Sequence, residues 1–446
     1  MSKPVMMSDR SANYVGVGSA YVDRSIDPHH PGFALRGKTV VLIHPAWHSC
    51  GSHKVFVMQA QAYRALGARL LALAIADFPG RVRGSLAHSA YLEGSQDLQA
   101  DKRYFTGMPR GAVFTPSFLR SFRGWLHGNY ATILVETVKL ATLPVELLEL
   151  PEIDLIHCNH FFCMGAALKL RSNRNCPVLL DTHDLQARQY VLRQPGFWTL
   201  PPAATYESML SLELTNMDRA DVLVHLNAEE AASFDRLMPH KRHTLIFPAV
   251  EPVAVGRGGS DIIMVASANY PNFLGISWFL TEVMPRIPDT PVKIIGNIDQ
   301  EFRRRAPSLF HKHAAMFKGY VRDLHKAYGA AAAVLLPITE GFGISIKTIE
   351  ALSSGAPLIA TPLAFRGMGI DPASLANVSI ACDPPSFAAA IQRTKVDQKG
   401  AEDRMNSDTR RLYDLVFSPL AYQHALGALA QPLVENKHTR QCNGSI

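Results

Sequence analysis

Residues 335–361, LLPITEGFGISIKTIEALSSGAPLIAT, concentrate side chains that can do chemistry. A buried strand ends at Pro337, and Gly341-Phe342-Gly343 forms a loop whose backbone a ligand can approach closely. Ser345 caps the helix that follows; Ile346, Ile349 and Leu352 form its buried side and Gly355 ends it. The start of such a helix presents free N–H groups and a partial positive charge, which suits phosphate. Lys347 sits in the first turn, where a cation opposes the helix dipole unless an anion is bound. Glu350 is three residues on and shares its face, so its carboxylate can accept hydrogen bonds from two sugar hydroxyls. The bland reading of the same spacing is a solvated Lys–Glu pair.

Three other constellations compete. DTHD (181–184) puts His183 and Asp184 at the end of a buried strand, where a histidine either completes a turn or faces a ligand. HCNHFFC (157–163) contains zinc-ligand types, but neighbouring strand residues face opposite ways and no second ligand pair stands at suitable spacing, so no metal is expected. Residues 102–130 mix five Lys/Arg with aromatics throughout. That surface would suit anionic lipid, and its bland reading is a long insertion with solvated arginines.

The elements needed to position these residues are legible. The chain has 446 residues, 47% hydrophobic and 19% charged, which is a folded globular composition long enough for two or three domains. Its net charge of +7 favours an anionic partner, while a nucleic-acid binder would more often show dense Lys/Arg clusters beside stacking aromatics, for which 102–130 is only a loose candidate, so nucleic acid is not expected. No apolar run approaches the roughly 18 residues of a membrane span. An export leader is not expected at the N-terminus, and six scattered cysteines fit reduced thiols, so the expected location is cytoplasmic. Short apolar strands at 38–45, 69–76, 153–160, 176–184 and 220–227 alternate with helical stretches. After a Gly/Ser-rich break at 251–260 the alternation restarts, with strands at 261–268, 291–296, 314–320, 331–337 and 356–362 and a helix at 277–287. This predicts an α/β protein with two doubly wound Rossmann-like domains, covering 38–250 and 251–405. A polar arm precedes them (1–37), and a helix and tail (406–446) cross back. Ligands bind outside the carboxyl ends of such strands, here in the cleft between the domains.

With Glu340-Gly341-Phe342-Gly343, then Glu350-Ala351-Leu352, Gly355, Pro357 and Ala360-Thr361, the stretch resembles the donor-binding signature of retaining glycosyltransferases of family 4 (GT-B fold, glycosyl transferases group 1). Glu340 and Glu350 stand ten residues apart where the family usually has eight. The resemblance implies a retaining, metal-independent transfer from a nucleotide diphosphate sugar, which is substrate and not cofactor, to a hydroxyl acceptor. Glu350 would hold the ribose, Lys347 the diphosphate, and His183 the donor sugar near the reacting carbon. The implied donor side also includes Gly51, Ser52, Asn272, Tyr320, Val321, Glu340, Gly341, Phe342, Gly343, Ile344 and Ser345. Where the family often has an Arg and a Lys gripping the diphosphate, this chain has Asn269, Tyr270 and Asn272. His160 and Asp184 would face the acceptor, with Asn159 beside His160. The implied acceptor is a glycan or a lipid-linked molecule in cell-surface polysaccharide or glycolipid synthesis, with peripheral contact to the inner face of an anionic membrane. Alternatives on the same architecture are a nucleotide-sugar 2-epimerase and a catalytically inactive nucleotide-binding scaffold.

Overall fold

A computed structural model describes residues 34–48, 51–172, 174–188, 199–253, 256, 258–341, 343–396 and 404–442. Residues 1–33 of the expected arm, and Phe342 of the glycine loop, lie outside the described residues. The strands form two sheets. The first contains β1 (Thr39–Pro45), β2 (Arg69–Ile75), β3 (Lys102–Thr106), β4 (Leu155–Asn159), β5 (Val178–Asp181), β6 (Val222–His225) and β7 (Arg242–Leu245), in the order β3-β2-β1-β4-β5-β6-β7. The second contains β8 (Asp261–Val265), β9 (Val292–Ile295), β10 (Phe317–Gly319), β11 (Ala331–Leu336), β12 (Leu358–Ala360) and β13 (Val378–Ile380), in the order β10-β9-β8-β11-β12-β13. Neighbouring strands run parallel, as in β1 beside β2 and β4, and β11 beside β8 and β12.

The central strands β4, β5 and β6 are buried along their whole length because helices cover both faces. Along β1, Val41 and Ile43 enter one core layer with Phe161, Phe162 and Leu180. Val40 and Leu42 enter the other, with Phe56 and Tyr63 of helix α1 (Gly51–Ala65). Each such side chain contributes roughly 1.5–3 kcal/mol by leaving water. The sequence pattern did not reveal β3, β7 or β13. All three lie at sheet edges, and Arg242–Leu245 and Val378–Ile380 are only half-buried or exposed, so they lack a central strand's apolar run.

Two expectations are corrected here. Residues 102–130 are not one insertion: they open with β3, whose Tyr104 and Phe105 are buried. Helix α2 (Pro116–Leu126) follows, with the Thr115 hydroxyl accepting from the Phe118 amide at 3.3 Å. The helix expected at 277–287 starts earlier, as α5 (Tyr270–Trp278), and ends in a wider turn (Phe279–Val283) and a tight one (Met284–Arg286). Helix α3 (Tyr206–Met217) packs over the Phe161–Cys163 turn after β4, and α4 (Ala228–Leu237) packs beside β6 and β7.

The last helix, α7 (Pro419–Cys442), returns to the first sheet. Its Tyr422, Leu426, Leu429, Ala430 and Val434 share a core layer with Phe56, Tyr63 and Leu66. The approach is close at Gly427, where an added Cβ would stand 2.9 Å from Leu66 Cδ2. The halves also meet where Ala228 donates to the Gly367 carbonyl (2.8 Å) and Gly367 to Glu229 Oε1 (3.1 Å). Among the described residues, no helix is long and apolar enough to cross a membrane.

Candidate active site

The carboxyl ends of β4 and β5 bring His160 and His183 face to face. Their rings stack at 3.9 Å between centroids, 8° from parallel, with Phe56 edge-on to both. Both residues hold left-handed backbone, φ 64° and 56°. Such a conformation costs a side-chain-bearing residue about 1–3 kcal/mol, and packing must enforce it. Burial lowers the His160 pKa to about 3 and holds His183 well below the usual histidine range, so both rings are neutral at pH 7. Neither His160 ring nitrogen has a hydrogen-bond partner among the described residues, although the residue is 2% exposed. Asn159, expected at the cleft surface, is instead wholly buried, and its Oδ1 lies 2.9 Å from His183 Nε2. His157 bonds to Tyr63 at 2.9 Å in one layer while Cys158 faces the other, so the zinc-type cluster does not converge.

Opposite stands helix α6 (Ile346–Ser353), entered from β11 through the glycine loop. The Ser345 hydroxyl accepts from the Thr348 amide at 3.3 Å, and Thr348 Oγ1 ties the helix to the Ala364 carbonyl at 2.8 Å. Gly341 and Gly343 have φ of 135° and 66°, backbone that favours glycine. A Cβ on Gly343 would stand 2.7 Å from Asp184 Oδ1, so the loops of the two halves touch there. Glu350 lies 3.6 Å from Lys54 Nζ, in the first turn of α1. The first turn of α1 therefore faces the second turn of α6 across the cleft. Burial lowers the Lys347 pKa to about 8; Glu350 opposes that shift and Lys54 adds to it.

The 182–188 segment is held from beneath by carboxylates. Glu213 accepts from the Gln186 and Ala187 amides at 3.0 and 2.8 Å. Burial raises Glu213 to about 7, and burial with the nearby Asp184 charge raises Glu230 to about 8. Glu230 Oε2 is buried without a hydrogen-bond partner among the described residues. Folded-state values above the unfolded one mean that their stabilisation is full below about pH 4.3 and is lost as pH rises through 7–8. Glu230→Gln, which keeps the neutral form, is expected to raise the thermal midpoint by about 2–4 °C at pH 9 and to leave it unchanged at pH 5. A pH series of melts on both proteins checks this; equal midpoints at pH 9 would exclude ionisation of Glu230 as a source of instability.

Residues 259–395 match the family model for glycosyl transferases group 1. The C-terminal half of the chain carries a glycosyl transferases group 1 domain. No curated protein matches the sequence significantly. Sucrose-phosphate synthase from Thermosynechococcus elongatus superposes with a TM-score of 0.61 at 18% identity, over 90% of this chain and 100% of that one. The Anabaena protein HepE in complex with UDP-glucose gives 0.56 at 13% identity, over 88% and 99%. A glycosyltransferase from Rickettsia africae gives 0.58 at 12%, over 90% and 99%. At such identities the likeness establishes the fold: two parallel-sheet α/β halves, as in GT-B glycosyltransferases.

Within the group 1 domain the sequence-derived residues divide. Ser345, Lys347 and Glu350 gather at the start of α6, and Gly341 and Gly343 line the loop before it, with Ile344 half-buried beside them. Glu340 is exposed, Tyr320 is 77% exposed, and Val321 packs against the domain core. Asn272 is tied into its own turn: its amide meets Asn269 Oδ1 at 3.0 Å and its side chain donates to the Ser267 carbonyl at 2.8 Å. Across the cleft, Gly51 opens α1 in free space, with Ser52 half-buried after it. Two cations escaped the sequence reading. Lys54 is one. Arg366 is the other: a Cβ on Gly341 would stand 3.0 Å from its Nη2, and burial lowers its pKa against the pull of Glu229 and Asp184. Neither belongs to a recognisable spacing, since each meets the site only through tertiary packing.

Proposed function

We propose that the protein is a retaining, metal-independent glycosyltransferase that moves a sugar from a nucleotide diphosphate donor to a hydroxyl acceptor. The observation that carries this reading is Glu350 flanked by Lys54 and Lys347 where the first turn of α1 faces α6. Glu350 would accept the ribose hydroxyls. Lys347, the first amides of α6 and Arg366 would meet the charge that grows on the departing diphosphate. Arg366 takes the place of the cations that the 269–272 loop lacks. His183 would contact the donor sugar, while His160 and Asp184 lie on the acceptor side. Closure of the cleft would keep water from the oxocarbenium-like sugar. The group 1 domain supports this reading, and the UDP-glucose complex of HepE makes UDP the first nucleotide to test.

The test is a thermal-shift series with UDP, GDP, ADP and dTDP. A nucleotide at 100 times its dissociation constant adds about 2.7 kcal/mol. Stabilisation by one of them supports a donor site and names the base; none at all sinks the reading. Binding without release of nucleotide from any donor sugar would instead mark a scaffold.

The acceptor side adds a membrane expectation. Phe114, Leu119, Phe122 and Trp125 are exposed on and before α2, beside exposed Arg110, Arg120 and Arg123. This face fits an anionic bilayer and a lipid-linked acceptor at the inner membrane surface, as in cell-surface polysaccharide or glycolipid synthesis. Co-sedimentation with phosphatidylglycerol vesicles, lost with phosphatidylcholine and in a Phe122→Ser/Trp125→Ser variant, is the expected outcome. Equal recovery with both lipids removes the membrane from the proposal.

A further inference from the structure

Beneath His183 runs a chain of buried side chains from α1, β4 and β5. His183 Nε2 is 2.9 Å from Asn159 Oδ1. Asn159 Nδ2 donates to Gln59 Oε1 at 2.8 Å and points at the Ile43 carbonyl at 3.4 Å. Gln59 Nε2 donates to Asp181 Oδ2 at 2.9 Å. Asp181 Oδ1 accepts the His183 amide at 3.2 Å, so the chain ends on the residue that also holds the backbone of the histidine it started from. Asn159, Gln59 and Asp181 are fully buried.

Such a chain can run in only one direction. With Asn159 Nδ2 turned toward the Ile43 carbonyl, each amide passes one hydrogen toward Asp181 Oδ2, which accepts. Burial raises Asp181 to about 7, so it can hold a proton, and what excludes the reverse direction is that it would set Asn159 Oδ1 against the Ile43 carbonyl oxygen. The direction fixes the proton on His183: Nε2 carries the hydrogen and gives it to Asn159. Nδ1 keeps its lone pair and has no hydrogen-bond partner among the described residues, and the residue is 5% exposed.

We infer that Gln59, Asn159 and Asp181 are positioning residues that lock His183 as the neutral Nε2–H tautomer, presenting Nδ1 to the cleft as an acceptor for a substrate hydroxyl. His183 would thus receive an O–H from bound sugar and could not donate to a sugar oxygen. The lock also holds the left-handed backbone of His183 through Asp181. The link to sugar chemistry rests on the proposed transferase function; the tautomer itself does not.

Long-range proton–nitrogen NMR of the full ¹⁵N-labelled chain, with His183→Gln to identify the signal, tests the lock without any substrate. The wild type should show one nitrogen protonated at ε2 and a pyridine-like nitrogen at δ1. Asn159→Leu should give mixed or reversed tautomers. Asn159→Asp should restore the wild-type pattern, since a protonated aspartate there can accept from His183 and donate to Gln59. In transfer assays Asn159→Leu should lose about tenfold to a hundredfold in kcat, with the donor KM changed less than about twofold. An Nδ1–H tautomer in the wild type, or an unchanged tautomer in Asn159→Leu, overturns the inference. If Asn159→Leu does not fold, Gln59→Met removes the same direction one step away, and the wild-type spectrum alone still decides. A confirmed tautomer in a protein that transfers no sugar overturns only the function proposed above.

Discussion

Lys347→Ala is expected to lower kcat for sugar transfer by about 10²–10³-fold, the usual effect of removing one charge-stabilising donor from a buried transition state. Lys347 occupies the first turn of α6, where without an anion its charge opposes the helix dipole. Burial pushes its pKa down to about 8. Both penalties are relieved when a diphosphate binds, and relieved further as negative charge accumulates on the leaving group. The effect therefore falls on kcat more than on donor KM. The same argument gives a pH dependence. The protonated lysine is the active form, so kcat/KM should be level below pH 8 and fall as pH rises through about 8. In the donor complex the anion favours the charged form, so the limb in kcat should lie higher. Lys347→Arg, which does not titrate in this range, should abolish the limb. Rate profiles from pH 6 to 10 check this, and a Lys347→Ala enzyme with wild-type kcat would remove Lys347 from the chemistry.

Glu350→Ala should abolish nucleotide stabilisation. A carboxylate accepting two ribose hydroxyls makes two charge-assisted hydrogen bonds, each contributing about 1.5–3 kcal/mol. Their loss weakens nucleotide binding by on the order of 100-fold or more. The apo protein should melt almost as before, because Lys54 is 65% exposed and its bridge to Glu350 is a surface-type pair worth at most about 1 kcal/mol. Calorimetry with UDP, on wild type and variant, separates the two effects. Equal affinity would leave the ribose without its proposed partner. Glu350→Gln, still an acceptor but uncharged, should fall between them.

Much of the site was legible because local chemistry wrote it. Ser345, Lys347, Glu350 and Gly355 lie within one helix and its caps, where spacing alone puts side chains on a common face. His183 was singled out by its place at the end of a buried strand and by the family resemblance, and β5 ends two residues before it. Asn159 was misplaced for the complementary reason: its position at a strand end is local, but its burial depends on α1 bringing Gln59 across from 100 residues away. Likewise Tyr104 and Phe105 looked like surface aromatics, since only the docking of β3 beside β2 buries them.

The sequence by itself determined the alternation of strands and helices, the break near 251–260, and the loop and helix start that suit phosphate, since each depends on periodicity, turn chemistry and capping within a few residues. Only the tertiary structure decided the partners of that helix start. Lys54 reaches Glu350, Asp184 reaches Gly343, and Tyr422 packs into the first sheet's core because two α/β halves fold against each other and α7 returns. Contacts between residues hundreds of positions apart leave no spacing in the chain; the packing of whole layers sets them.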